Sequence, residues 1–389
     1  MLYAKKKICI VIFSRANYGS IKKVLEEIKN SSKLTLQLII GGAAIISRYG
    51  ELENIIKNDG FKIDRHISFL IEGENNLTMA KSTGLAIIEI ATALNELKPD
   101  LVFTVGDRFE TISTAIAASY MNIPIAHTMG GEITGTIDES VRHAITKFSH
   151  LHFAATTQAK INIIKMGEKK NKVFNVGCPR IDFVKDCLKK KINLEEEVFK
   201  NGVGNKFKLN NKNFICVMHY PVTTEYNDAR EQIIETLMAV NEFDMPKIVF
   251  WPNSDAGSDK ISTAIREWRE NNDLKNYWFV KNLDNSTFFN LLNQTSCLVG
   301  NTSSGIREGA YMGVPFVNIG TRQKGREKSL NTINASYDRD DIKKKISLII
   351  NKNFKRSYIY GNGEAAKKIV KIIENIKNIE IQKKLNYKI

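Results

Sequence analysis

Short apolar runs alternate with longer amphipathic stretches along almost the whole chain. In the first half the runs fall at 7–13 (KICIVIF), 34–40, 61–69, 101–105, 123–127 and 173–176. Each is rich in Ile, Val, Leu and Phe and too short for a helix, the signature of strands buried on both faces of a parallel sheet. Between them, helical periodicity predicts helices over 21–29, 45–59 with Gly60 past the end, 78–97 and 111–120, and a further helix opening near Asp138. The second half repeats this grammar. Strands are expected at 214–218, 247–251, 277–280, 297–300 and 315–319, with helices at 231–241, 261–271 and 287–294, and a helical tail over 364–377. Strands that alternate with helices make βαβ units, so the expected fold class is α/β with two Rossmann-like domains, each built on a parallel sheet. Such a pair leaves an inter-domain cleft.

The 389 residues exceed one ordinary core. Composition shifts to charge runs with Asn and Gly near 185–213. The expected division is therefore an N-terminal domain over 1–185, a linker over 186–210 and a C-terminal domain over 211–389, its last helix able to pack back on the first domain. The five cysteines are scattered and show no metal or disulfide spacing. A reducing cytoplasm is the expected location, and neither a metal nor another cofactor is expected. The basic start is followed by only a short apolar run, which fits a first strand better than a signal peptide. No uninterrupted apolar run approaches the roughly 20 residues that span a bilayer, so no membrane is expected as partner. The net charge of +15 is spread over the chain among many Asn and Ile. It reads as solvated surface, and no nucleic-acid module accompanies it.

Chemistry collects where strands end and helices begin. In open α/β sheets that carboxyl edge binds ligands. Gly106-Asp107-Arg108 follows one strand, Glu132 lies in a glycine-bearing loop after the next, and Asp138, Glu139, Arg142 and His143 open the following helix. Arg15, Arg108, Arg142 and Arg322 sit on loops after strands or just beyond them, positions suited to polyanion recognition. Asn301 to Gly305 offers small hydroxyls and backbone amides before a helix, a place for a diphosphate or an ordinary cap. Glu308, further along, can reach ribose hydroxyls. His219 leaves a strand at the second carboxyl edge. His150 and His152 flank a core strand and read as structural. No GxGxxG or Walker A motif is present, which removes support for dinucleotide redox chemistry and ATP hydrolysis.

The motifs GDRFE, GGEITGTIDESVRHAITK, GCPRID, HYPVTT, PNSDAGS, GNTSSGIRE and GTRQKGRE, in that order and spacing, resemble those of the hydrolysing nucleotide-sugar 2-epimerases, including the branch that supplies sialic and legionaminic acid precursors. The resemblance runs from about residue 7 to 375. It implies a GT-B-like fold and a nucleotide-sugar substrate. The implied reaction removes the nucleoside diphosphate to leave a 2-acetamidoglucal, then adds water to release the free C2-inverted sugar. It also implies acid/base work for Asp107, Glu132 and Asp138, and nucleotide contacts for Arg15, Asn253, Thr302, Ser303, Glu308 and Arg322. From their places at the two carboxyl edges, His219 is expected to join the catalytic group and Arg108 the nucleotide contacts. A homodimer or homotetramer is expected.

The chain departs from the sialic-acid branch twice. That branch has a carboxylate where this chain has Met129, and it reads Gln-His-Pro where this chain reads His219-Tyr220-Pro221. A site less polar at Met129 suits a UDP- or GDP-linked 2,4-diacetamido-2,4,6-trideoxyglucose, the legionaminic-acid precursor, over UDP-GlcNAc. Two other readings remain at this stage: a GT-B glycosyltransferase, which needs an acceptor, and a non-catalytic sugar-nucleotide sensor.

Overall fold

The computed structural model describes residues 4–46, 52–72, 76–106, 108–134, 138–222, 224–225, 227–252, 257–350 and 352–386. Asp107 and Asn253 lie outside the described residues. The chain divides into two units: Met1–Glu132, Ile137–Phe183 and Tyr360–Ile389 form the first, and Ile133–Thr136 with Val184–Ile359 the second.

In the first unit the strands are β1 (Lys6–Ile12), β2 (Leu34–Gly41), β3 (Arg65–Ile67), β4 (Leu101–Val105), β5 (Ile125–Thr128), β6 (Leu151–Ala154) and β7 (Val173–Asn175). They make one sheet in the order β3-β2-β1-β4-β5-β6-β7, with all pairings parallel. The helices are α1 (Arg15–Asn30), α2 (Leu52–Asn58), α3 (Asn76–Leu97), α4 (Thr111–Tyr120), α5 (Asp138–Phe148), α6 (Thr157–Lys165) and α7 (Pro179–Cys187). β1 and β4 are fully apolar inside because helices cover both faces, with Ile8, Ile10 and Ile12 in one core and Cys9 and Val11 in the other.

Two elements differ from the sequence reading. The helix after β1 begins at Arg15 rather than 21, because Ser14 is its N-cap and accepts from the Asn17 amide. The apolar stretch 61–69 yields only the three-residue β3. The helix α3 turns Ala86, Ile90, Ala93 and Leu94 inward but leaves Leu77, Leu85 and Ile88 exposed. Its span Leu77–Leu97 is long and apolar enough to cross a membrane by length and composition.

The second unit holds α8 (Leu194–Lys200), β8 (Val203–Gly204), β9 (Ile215–Met218), α9 (Ala229–Asn241), β10 (Lys247–Phe250), α10 (Ser258–Asn271), β11 (Tyr277–Val280), α11 (Asn285–Gln294), β12 (Cys297–Gly300), α12 (Ser303–Ile306), α13 (Glu308–Met312), β13 (Phe316–Ile319), β14 (Thr332–Ala335) and α14 (Arg339–Ile349). Its sheet runs β14-β13-β12-β9-β10-β11-β8, parallel except for β8 against β11. Residues 186–210, read as a linker, are packed here instead. Leu194 and Val198 are buried, Phe199 stands edge-on to Trp278 at 4.9 Å, and the Trp278 indole donates to the Val198 carbonyl at 3.2 Å. The Glu and Lys residues on the outer face of α8 hide this from a compositional reading.

The last helix, α15 (Ala365–Asn375), belongs to the first unit and is held at both ends by residues of that unit. The Asp182 carboxylate accepts from the Ala365 and Ala366 amides at 3.0 and 2.7 Å, and Lys6 donates to the Ile373 and Ile376 carbonyls at 3.0 and 2.6 Å. Each contact satisfies helix-end groups that have no partner within the helix. Beyond α15, Lys383 donates to the carbonyls of Thr146, Lys147 and Ser149 at the end of α5 and pairs with Glu168 at 2.8 Å.

Glu168 is the hub of that end of the unit. Burial alone pushes its carboxyl up, but hydrogen bonds from His152, Lys147 and Lys383 outweigh burial and bring it to about 2. His152 is itself pushed down by burial. It donates from Nε2 as a neutral ring, and the two lysines supply the charge. A depressed carboxylate stabilises the fold above its ordinary value near 4.5, and that contribution is lost as pH falls toward 2. Glu168→Gln is expected to lower unfolding stability at pH 7 by an amount that shrinks steadily below pH ~4.5. Urea unfolding from pH 7 to pH 3 measures it, and a difference that does not depend on pH would remove ionised Glu168 from this account.

Candidate active site

Strand order reverses once in each sheet. Between β1 and β4, and again between β12 and β9, neighbouring strands run on to helices on opposite sides and leave a crevice at their carboxyl ends. Most of the described site residues from the sequence sit at or next to these two places.

In the first unit an asparagine closes the crevice. Asn17, in the first turn of α1, accepts from the Phe13 amide at 3.3 Å, just past β1, and donates to the Val105 carbonyl at the end of β4 at 3.0 Å. This fixes the start of α1, and Arg15 with it, half-buried beside the β4 exit. Arg108 leaves that exit and donates to Glu110 at 2.8 Å. Glu110 is buried, so it holds Arg108 in one direction. One strand over, His127 bonds the Gly106 carbonyl through Nε2 at 3.1 Å.

Past β5, Met129 is buried with φ of 65°, a left-handed backbone that is rare for a bulky side chain and recurs at functional sites. Glu132 follows and is also buried. Its carbonyl accepts from Arg142 at 2.7 Å, and Arg142 lies one turn after Asp138, the first residue of α5. Arg142 therefore ties Glu132 to the first turn that carries Asp138. Unlike Arg15, with which it was grouped for polyanion recognition, Arg142 has a fully buried side chain that donates to the loop carbonyl.

The second unit repeats the device. The Asn301 side chain accepts from the Tyr220 amide at 2.8 Å and donates to the Tyr220 carbonyl at 2.7 Å, which locks the end of β12 to the end of β9. Gly300 is required just before it. Its φ is 136°, and a Cβ there would lie 2.1 Å from the Met218 carbonyl oxygen. Thr302 caps α12 by accepting from the Ser304 amide, Ser303 opens that helix, and Glu308 opens α13 as a buried carboxylate rather than a solvated one.

Arg322, after β13, lies over the Tyr220 ring at 5.4 Å and donates to the Asn301 carbonyl at 3.4 Å. Gln323 donates to the same carbonyl at 3.0 Å. His219 is buried; its Nδ1 lies 3.0 Å from Thr236 Oγ1 on α9. Burial, reinforced by the charge of Arg322, pushes its imidazole down to about 3.

Sequence reasoning missed Asn17, Thr236, Gln323 and a carboxylate, Glu225, which accepts from Thr321, Tyr337 and Gln232. Burial acts to raise Glu225, and those three hydrogen bonds lower it on balance. The NYG and GNT sequences after strands are the only local signals for the two asparagines, and neither shows what the amide will span.

The family model for UDP-N-acetylglucosamine 2-epimerase matches residues 26–374. The chain is 34% identical to the UDP-N,N'-diacetylbacillosamine 2-epimerase (hydrolyzing) of Legionella pneumophila, with 95% of this chain and 96% of that one covered. It is 32% identical to the GDP/UDP-N,N'-diacetylbacillosamine 2-epimerase (hydrolyzing) of Campylobacter jejuni, over 91% and 90% of the two chains. The fold matches the crystal structure of UDP-GlcNAc 2-epimerase from Neisseria meningitidis bound to UDP-GlcNAc, with a TM-score of 0.81, 18% identity and coverage of 94% of this chain and 99% of that one. The GT-B-like architecture and the ordered motifs thus agree, and the chain belongs to the UDP-N-acetylglucosamine 2-epimerase family.

Proposed function

We propose that this protein is a hydrolysing nucleotide-sugar 2-epimerase whose substrate is UDP- or GDP-linked 2,4-diacetamido-2,4,6-trideoxyglucose, released as the free 2,4-diacetamido-2,4,6-trideoxymannose. The observation that carries the sugar is the pair of relatives at 34% and 32% identity, both named for N,N'-diacetylbacillosamine, which is that sugar. Buried Met129, in place of a carboxylate, supports a less polar pocket.

A carboxylate takes the C2 proton, the C2–H electron pair becomes the C1=C2 bond, and the diphosphate leaves with the C1–O pair. Water then gives its oxygen to C1, and a proton enters C2 from the other face. The C2 proton is weakly acidic, so a positioned base and stabilisation of the leaving group must share the work. Asp107, Glu132 and Asp138 take the proton transfers, and the Arg142 link between Glu132 and the Asp138 turn supports a joint role. Arg15, Arg108, Asn253, Thr302, Ser303, Glu308 and Arg322 bind the nucleotide. Arg322 is already stacked on Tyr220, so little side-chain freedom is lost when it meets a diphosphate. The five cysteines, buried and scattered, suit a cytoplasmic location.

The outer face of α3 supports a homo-oligomer. Leu77, Leu85 and Ile88 are 63, 42 and 62% exposed, and a Cβ at Gly84 would meet nothing within 4 Å. Leu77, Gly84, Leu85 and Ile88 recur at helical spacing and make an apolar stripe that a second copy can cover.

Incubation in D₂O with UDP-GlcNAc and with the UDP- and GDP-linked diacetamido sugars, followed by NMR, should show the free diacetamido mannose-type sugar with deuterium at C2. Retention of the original C2 hydrogen would mean simple hydrolysis and overturn the epimerase reading. Arg322→Ala should weaken UDP binding by about tenfold or more with unchanged thermal stability; an unaltered Kd by calorimetry would take Arg322 out of the nucleotide site. Ile88→Asp should lower the molar mass seen by light scattering, and an unchanged mass would exclude the α3 stripe as the interface.

A further inference from the structure

His219 and Tyr220 are consecutive residues leaving β9, and consecutive positions on an extended chain face opposite ways. Tyr220 lies under the Arg322 guanidinium, while His219 turns toward α9. There the hydrogen-bond directions can be read. Thr236 Oγ1 donates its only proton to the Gln232 carbonyl, at 2.9 Å. Toward His219, 3.0 Å away, that oxygen can then only accept. The imidazole must therefore carry its proton on Nδ1, and Nε2 is left as a bare lone pair. Among the described residues no group bonds to Nε2, although the side chain is 2% exposed.

The groups around the ring keep it in that form. Arg322 places a positive charge nearby, the Tyr337 ring lies 6.4 Å away, and Glu225 is occupied by Thr321, Tyr337 and Gln232. The loop after β13 holds a second buried acceptor of the same kind. Gln323 spends its amide nitrogen on the Asn301 carbonyl, and its oxygen has no hydrogen-bond partner among the described residues. Buried acceptors left open beside a binding loop call for donors on the ligand. Phosphate oxygens at neutral pH have none to give.

We propose that His219 is a specificity-determining hydrogen-bond acceptor, held in its Nδ1–H form by Thr236, which receives an O–H or N–H donor of the nucleotide sugar through Nε2 and neither grips the diphosphate nor transfers a proton. The proposal rests on the nucleotide-sugar reading above, and it moves His219 out of the acid/base group in which the sequence placed it. The donor is either a ribose hydroxyl or a hydroxyl or acetamido N–H of the sugar, and binding measurements separate the two.

The tautomer is tested without ligand. In protein labelled with ¹⁵N-histidine, the His219 signals, assigned by their loss in His219→Gln, should show a pyrrole-type Nδ1 and a pyridine-type Nε2 at pH 6 to 8. Thr236→Val removes the acceptor at Nδ1 and should mix the two tautomers. A protonated Nε2 in the wild-type protein overturns the proposal whatever the enzyme's reaction.

Calorimetry with UDP and GDP, each free and linked to 2,4-diacetamido-2,4,6-trideoxyglucose, then tests the contact. His219→Leu should lose about tenfold in affinity, and His219→Gln, which can present an oxygen, should recover most of it. A loss with the free nucleotide assigns the donor to ribose; a loss confined to the sugar conjugate assigns it to the sugar. Equal affinities for wild type and His219→Leu overturn the contact. Wild-type protein that binds none of these ligands overturns the nucleotide-sugar reading and leaves the NMR result standing.

Discussion

Two side-chain amides span the places where strand order reverses, and the geometry of the site depends on them. At a reversal the two central strands part at their carboxyl ends, and the backbone groups there have no neighbouring strand to pair with. Buried peptide groups without partners cost about as much as a lost hydrogen bond. Asn17 and Asn301 each answer this by bonding a donor and an acceptor of the chain at once. An amide suits the task because it carries both functions a fixed distance apart. A carboxylate or an ammonium supplies only one of them.

From those two residues the positions of the others follow. Asn17 fixes the first turn of α1 and so the direction of Arg15, while Val105, which it holds, leads into Gly106 and the Arg108–Glu110 pair. Asn301 sets Tyr220, on which Arg322 rests, and its own carbonyl collects Arg322 and Gln323 from the loop after β13. The catalytic candidates are arranged on the same economy of backbone contacts. Arg142 reaches the Glu132 carbonyl, which fixes the backbone that presents this buried side chain.

Much of the fold was legible because a parallel sheet covered on both faces demands continuous apolar strands, and β1, β4, β9 and β12 are such runs. Arg108, Glu132, His219 and Thr302 follow strand ends, as the apolar runs predicted. What the sequence hid was decided by partners far along the chain. Residues 186–210 look like a linker until Trp278 and β11 pack against them. The strand β14 and the helix α14 carry many polar residues and were not anticipated; β14 is an edge strand of the sheet, and α14 buries only Ile342, Ile346 and Ile349. Arg142 and Arg322 are indistinguishable by local pattern. One is buried under a loop and the other stacked on an aromatic ring, and only tertiary structure separates them.

His219 shows how a single position can change a residue's chemistry. A shift of one place along an extended chain turns a side chain to the opposite face, so an imidazole placed before the tyrosine instead of after it meets α9 rather than Arg322. Thr236 then selects the tautomer, and burial with the nearby cation removes the charged form from the working pH range. An imidazole in that state is a weak base and no acid, which agrees with the proposal that carboxylates carry the proton transfer at C2. The strained backbone at Met129, between β5 and Glu132, lies on the segment that delivers one of them. Left-handed geometry at a methionine persists only where its surroundings enforce it, and here the buried Glu132, anchored through Arg142, is the neighbour whose placement that turn determines.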